Sequence, residues 1–325
     1  MPVSAVPIAV LAVFLASAPA PAKDTGLIFV SNEKTDNLIV LDPKSYRVVK
    51  DIRVSRRPRD MHFSADRSKL YVACGDDDVI DILDVARLEV IGRLKTAPSP
   101  ETFALDEKRR RLYVASEEGS SLAFIDIDRN AIVHEVATGA EPEGVLLSED
   151  GNTLYVTSEV ANLVHRIDAE RGSLTGDVLV GTRPRRFAAP PDGKELWVSA
   201  ELSGEVTIID RASFTVTGKI EFLPPGMRKT DVTPVGLVVS SDGRTAYVTL
   251  GRAAHVAVVD VPTRKVEGYI LVGKRAWGVA LSRDGGKLFV ANGLGDDVTV
   301  IDTRSRKAII SVPVGRVPWG VAIDD

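Results

Sequence analysis

The chain has 325 residues, with 41 Lys and Arg against 45 Asp and Glu and a net charge of −4. Acid and base are interspersed, with none of the basic stripe that a nucleic-acid binder needs. The one cysteine, Cys74, closes no internal disulfide, and with only the scattered His62, His134, His165 and His255 it builds no Cys/His metal centre.

The first 22 residues stand apart. Residues 6–16 are almost wholly apolar and too few to span a bilayer. Ala20-Pro21-Ala22 puts small residues where a signal peptidase reads, and Lys23 follows, although no Lys or Arg precedes the apolar run. Residues 1–22 are therefore expected to be a signal peptide that exports the chain to the periplasm. A disordered apolar tail, the alternative, suits a soluble protein poorly. No later segment reads as a membrane span.

Residues 23–325 read as one repeating unit. An aromatic followed by valine stands at Phe29, Tyr71, Tyr113, Tyr155, Trp197, Tyr247 and Phe289, and an Asp follows each aromatic 13 residues on, from Asp42 to Asp302. The spacing is 42 residues between all copies but one, where it is 50. A fixed period of this size with strand-like content is the signature of a β-propeller.

The third copy shows the grammar. Strands are expected at 112–116, 122–126, 131–136 and 144–147, short runs rich in Val, Ile and aromatics punctuated by Gly, Pro, Asp and Asn. Asp150-Gly151, Asp192-Gly193, Asp242-Gly243 and Asp284-Gly285 supply the positive φ of tight hairpins. The seven recurring Asp residues read as turn formers, since seven carboxylates in one repeat position do not make seven active sites. The chain enters on a second strand, 27–31, and leaves on a first strand, 320–323. The expected fold is thus all-β: a seven-bladed propeller of four-stranded antiparallel blades, closed by pairing the C-terminal strand with the N-terminal blade.

What recurs builds the disc; what departs from the repeat at exposed positions is where a ligand would be read. The loop from the fourth strand to the next blade carries Pro58, Pro100, Pro142, Pro184, Pro234 and Pro318, with Ala276 in the remaining copy. The next residue is Arg59, Glu101, Glu143, Arg185, Val235, Trp277 or Trp319, and Arg57, Glu141, Arg183 and Arg275 precede the proline position. Loops expected on the same face add Glu33, Glu117, Glu159 and Glu201. One mouth of the channel should gather these carboxylates, guanidiniums and indoles. Three readings stand: a solvated rim of mutually paired charges, a small-molecule site in which Arg holds a carboxylate and Trp covers a flat ring, or a protein-docking face. Glu101 and Glu143 have the chemistry to bind a hard cation such as Ca²⁺, but no motif supports it and no metal is assigned.

The longer spacing comes from an eight-residue insertion near 222–231, with two prolines and a Met expected to be exposed, which reads as a lid, a lip or tolerated decoration. Cys74 has no neighbouring His in the repeat and is a poor nucleophile candidate. Nucleophile elbow, phosphate loop and haem-attachment motifs are absent.

Leu70-Tyr71-Val72-Ala73 and Leu154-Tyr155-Val156-Thr157, with Val300-Ile301-Asp302, resemble the YVTN-family β-propeller repeat over essentially residues 26–325. The segments Arg57-Pro58-Arg59, Pro100-Glu101, Glu141-Pro142-Glu143-Gly144, Arg183-Pro184-Arg185 and Val317-Pro318-Trp319-Gly320 resemble those of the PQQ-dependent catabolism-associated β-propeller proteins. That resemblance implies a context rather than a chemistry: an exported protein beside quinoprotein alcohol oxidation, partnered with a periplasmic quinoprotein dehydrogenase, cytochrome or transport component. The leading expectation within that context is a non-catalytic binding or scaffold protein using the Arg/Glu/Trp face. The resemblance implies no PQQ site in this chain, which lacks the tryptophan-docking motifs of the quinoprotein enzymes, and no cofactor is predicted. An alternative by fold analogy is a lactonase-like hydrolase with Glu101 and Glu143 as general bases and an Arg at the oxyanion.

Overall fold

The computed structural model describes residues 24–325; the expected signal peptide lies outside them. Seven four-stranded antiparallel sheets follow one another, and in six of them the strands pair in chain order. Blades 2 to 7 open on the strands Pro58–Phe63, Pro100–Asp106, Pro142–Leu147, Pro184–Ala188, Leu237–Val239 and Ala276–Leu281. Each of these innermost strands touches the next around the axis, and Pro318–Ile323 closes the circle between blades 7 and 2. This last strand pairs with Ile28–Asn32 to make blade 1, in register Ile28 to Ile323 and Val30 to Val321, as the cut of the repeat requires. The seam is clasped by Asp324, which is fully buried and accepts the Thr25 N–H at 2.9 Å, the Thr25 hydroxyl at 2.5 Å and the Arg67 Nε at 3.2 Å.

The recurring Asp does what the repeat predicts. In all seven blades its Oδ1 accepts the backbone N–H three residues on, at 2.7–2.9 Å, from Asp42 with Ser45 to Asp302 with Ser305. Gly151, Gly193, Gly243 and Gly285 all have φ between 66° and 74°. The only helical element among the described residues is one 3₁₀ turn, Lys229–Asp231.

Apolar side chains are buried between blades, in seven clusters, one for each seam of the ring. Tyr71, Ile80 and Leu94 of blade 2, for instance, pack on Phe103, Val114 and Ile125 of blade 3. Burying one such side chain is worth roughly 1.5–3 kcal/mol, so the stability of the ring rests on adjacency rather than on any single blade.

The axis needs a second device. Six of the seven innermost strands shift register just after the proline position, as between Pro142 and Val145, and in blade 6 the strand begins only at Leu237; either way the backbone N–H two residues after the proline position is left off the ladder. In four blades a hydroxyl on the neighbouring strand of the same blade takes up that N–H and donates to a carbonyl of the next blade. Thr157 accepts Gly144 N–H at 2.7 Å and donates to Arg185 O at 3.0 Å; Thr249 does the same with Gly236 at 2.8 Å and Trp277 O at 2.6 Å. Ser31 and Ser199 complete the set. Blade-to-blade spacing at the axis is therefore fixed by hydrogen bonds as well as by packing.

Candidate functional site

The position after the proline makes a ring at one mouth of the channel, in the order Trp319, Arg59, Glu101, Glu143, Arg185, Val235, Trp277. Two adjacent carboxylates are thus flanked by two arginines, and the remaining arc is apolar, with Val235, Trp277 and Trp319 packed as a buried cluster. The residue before the proline holds a left-handed backbone in six blades, including Arg57, Arg183 and Arg275 at φ 57°, 60° and 58°. For a non-glycine residue this conformation carries strain. It is held in blades 2 and 5 by Asp36 and Asn162, whose side chains accept the Arg57 and Arg183 N–H at 3.0 and 2.9 Å.

The carboxylates are far from solvated. Glu101, Glu143, Glu159 and Glu201 are all buried, as is Arg185. Arg57 lies 3.0 Å from both Glu101 and Glu117; Arg59 lies 2.6 Å from Glu33 and also contacts Glu101. Arg185 serves three carboxylates, with Glu143 at 3.3 Å, Glu201 at 2.7 Å and Glu159 in closer contact still. Arg183 meets Glu159 at 2.6 Å and Glu201 at 3.4 Å. The sequence-predicted residues are therefore brought together, but as an internal network rather than a wet rim. Glu141 is exposed beside it.

Burial, and then the charge on Glu143, push Glu159 up to about 7 against the pull of Arg185 and Arg183. Burial acts on Glu143 as well, yet Arg186, Arg185 and Arg59 outweigh it and hold that carboxyl down at about 2. Both lean on Arg185, so they take up protons as a pair. A general base works best with a pKa near the operating pH; Glu143, kept anionic by three guanidiniums, is a weak one, and Glu101 is clasped by Arg57 and Arg59. Among the described residues no three His, Cys, Asp or Glu side chains gather as a metal site. Cys74 is buried, which raises its thiol pKa well above the usual value.

Above this network lies a cavity of about 140 Å³, lined by Arg59, Arg183, Arg185 and Arg275, by Glu33 and Glu117, and by the two indoles. Its lining has four cations against two anions. Arg275 forms no ion pair among the described residues; its guanidinium sits 4.3 Å from the Trp277 ring centre, and Arg185 covers the same ring at 5.0 Å. Gly293 lines this side where four other blades carry Glu, which leaves the space open. The arrangement offers positive charge beside flat apolar surface.

Trp319 is shared by this cavity and by a second one of about 310 Å³ along the channel. There Arg186 stacks on Trp319 at 4.4 Å and pairs with Glu143 at 2.6 Å. Asp60 and His62 face the same space 3.0 Å apart. Enclosure disfavours the His62 cation, but the Asp60 carboxylate outweighs it and raises the imidazole. Sequence reasoning passed over Arg186, Asp60 and His62. For Asp60 and Arg186, though not for His62, a signal was there: two residues after the proline position the repeat reads Asp60, Thr102, Gly144, Arg186, Gly236, Gly278 and Gly320. A Cβ on Gly144, Gly236 or Gly278 would lie 2.2–2.3 Å from a carbonyl oxygen of the next blade. Where a repeat asks for glycine, the three side chains that replace it stand out.

The insertion is not draped over the mouth. Phe222 and Val232 are buried at its two ends, and Met227, expected exposed, packs half-buried against the same cluster. None of its residues lines the 140 Å³ cavity.

Solved structures share this architecture at low identity. Kuenenia stuttgartiensis hydrazine synthase is 20% identical, over 89% of this chain and 99% of that one, with a TM-score of 0.78. A functionally unknown protein from Desulfotomaculum acetoxidans is 18% identical over 92% and 98%, with a TM-score of 0.77. The dihydro-heme d1 dehydrogenase NirN is 15% identical over 95% and 78%, with a TM-score of 0.72. These likenesses show the fold alone. No curated protein matches the chain. The YNCE-like beta-propeller family matches residues 20–281, across most of the ring, and the chain belongs to that family.

Proposed function

We propose that the protein is a non-catalytic binding propeller that captures a carboxylate at the Arg/Trp mouth. One observation carries this reading: in the cavity lining, four guanidiniums face two carboxylates, and Arg275 has no anionic partner among the described residues. A carboxylate entering there would meet charge-assisted donors from Arg183 and Arg275, with its apolar part against Trp277 and Trp319. The buried glutamates behind it act as supports that fix Arg59 and Arg185 in place. Export to the periplasm and service to a quinoprotein alcohol-oxidation or uptake system belong to the same proposal, supported by the apolar run ending at Ala20-Pro21-Ala22 and by the resemblance of the blade-specific Arg, Glu and Trp segments.

The test is calorimetric titration with benzoate, benzamide and benzyl alcohol. Benzoate should bind and its neutral analogues should not, and Arg183→Gln with Arg275→Gln should abolish the difference. Equal binding of all three by the native protein would remove the proposal.

A further inference from the structure

Among the described residues the six most exposed large apolar side chains are Leu179, Leu271, Leu294, Val160, Leu223 and Leu202, each 55–69% exposed, whereas the remaining ones reach 50% at most. All six lie in blades 4 to 7, and all lie toward the mouth. Val160, Leu202 and Leu294 occupy one repeat position in the loop beside the mouth, where blades 1 to 3 carry Lys34, Asp76 and Glu118. Leu179 and Leu271 end outermost strands that in blades 1 and 2 end on Arg53 and Lys95. Leu223 opens the insertion. The most exposed aliphatic side chains are thus confined to blades 4 to 7, interrupted by Arg252 and Glu221, which hold the same two repeat positions in blades 6 and 5.

The backbone under this arc is fixed. Leu202 N–H bonds Thr182 O at 3.0 Å, Leu294 N–H bonds Lys274 O at 3.0 Å, and Leu223 N–H bonds the Tyr269 hydroxyl at 2.9 Å. Solvent-facing aliphatic residues clustered on a rigid frame beside a cationic cavity are the composition of a binding face. The cavity itself is small: about 140 Å³ against the roughly 300 Å³ and upward of ordinary free-ligand pockets. That is room for a side chain or an anion of benzoate's size rather than for a larger metabolite.

We infer that the carboxylate is carried by a protein partner: an acidic side chain or C-terminus, framed by apolar residues, enters the Arg/Trp cavity while its flanks rest on the aliphatic arc of blades 4 to 7. This rests on the carboxylate-binding reading above and adds the class of partner. Charge complementarity selects the anion, and the arc supplies the apolar contact area that one ion pair lacks.

The experiment uses the exported chain and short synthetic peptides with a central Glu between Leu or Phe residues, the same peptides with Gln, and benzoate as a small-molecule control. Glu peptides should bind about tenfold or more tightly than Gln peptides. Leu202→Gln with Leu294→Gln, which adds no charge, should weaken the Glu peptides about tenfold and leave benzoate binding and the melting temperature unchanged. Benzoate binding without peptide binding, or peptide binding indifferent to the leucine substitutions, overturns the docking inference and leaves the mouth reading standing. Failure of both probes overturns both. A native protein that sediments as a dimer, with the leucine variant monomeric, makes a second copy the occupant and also overturns it. So does co-sedimentation with phosphatidylglycerol vesicles that the leucine substitutions abolish.

Discussion

Arg275 lies 4.3 Å from the centre of the Trp277 ring, and no carboxylate neutralises it among the described residues. Every other arginine lining the cavity is already engaged by glutamate. The charge available to a guest is therefore concentrated on blade 7. Arg275→Gln should weaken benzoate by about tenfold to a hundredfold, the scale of one charge-assisted hydrogen bond. Trp277→Leu should weaken it less, by a few-fold, through loss of the ring beneath the guanidinium. Calorimetry with both variants checks the order; a larger effect from Trp277 would place the binding energy in the indole.

Glu143 is the carboxylate whose loss should cost most. Among the described residues it is the sole carboxylate paired with Arg186 and one of three on Arg185. Breaking a buried pair by removing one member typically costs about 3–5 kcal/mol, so Glu143→Gln should lower unfolding stability by about 3 kcal/mol in urea. Asp128, exposed and paired with Arg110 at 2.7 Å, is the control. Asp128→Asn should leave the urea midpoint where it was.

The two coupled glutamates predict a pH optimum. A carboxyl raised from its ordinary value to about 7, as Glu159 is, destabilises the fold progressively as pH rises from about 4.5 through 7. One lowered to about 2, as Glu143 is, contributes stability that is lost as pH falls below about 4.5. Stability should therefore peak in mildly acid solution, and Glu159→Gln should flatten the limb between about pH 5 and 7. Urea midpoints across pH 3 to 8 test this. An unchanged limb in the variant would assign the proton elsewhere in the network.

Ring closure depends on a few contacts at the seam. Asp324 is fully buried and binds Thr25 and Arg67, so Asp324→Ala should cost about 2–4 kcal/mol. Removal of residues 318–325 should go further, exposing the Ile28–Asn32 edge and opening the ring to protease. Limited proteolysis that leaves the truncated chain as resistant as the intact one would contradict closure by this strand.

The disc was legible because a propeller writes itself into its sequence at a fixed period. Aromatic-valine steps, the Asp that caps each turn and the Asp-Gly hairpins each have one local cause, so strand order and closure follow from spacing. The mouth was legible for a related reason, since Arg59, Glu101, Glu143, Arg185, Trp277 and Trp319 are departures from that period at one position. Depth was not legible. Whether Glu101 or Glu159 is wet depends on how far neighbouring loops fold over it, and Gly75 illustrates the point: its missing Cβ is where Arg57 lies, 2.6 Å from the site a methyl group would take. Met227 was misplaced similarly, because no local pattern marks a loop residue that turns back onto the core formed around Phe222 and Val232.

The hydrogen bond between Gly26 N–H and Asp324 O, at 2.6 Å, means that the order in which the chain visits its blades is arbitrary. A circular permutant with residues 24 and 325 bridged by a short glycine linker, and new ends opened in the exposed turn at Gly226, would build every blade from consecutive strands. It should reach the same fold, but with no strand shared between its two ends. Its weakest seam would move to blades 5 and 6, held by the Trp197 and Leu250 packing and the Ser199 to Val235 hydrogen bond. Amide exchange should then begin at blades 5 and 6 rather than at blade 1; exchange that still begins at blade 1 would show that covalent continuity is not what sets the weakest seam.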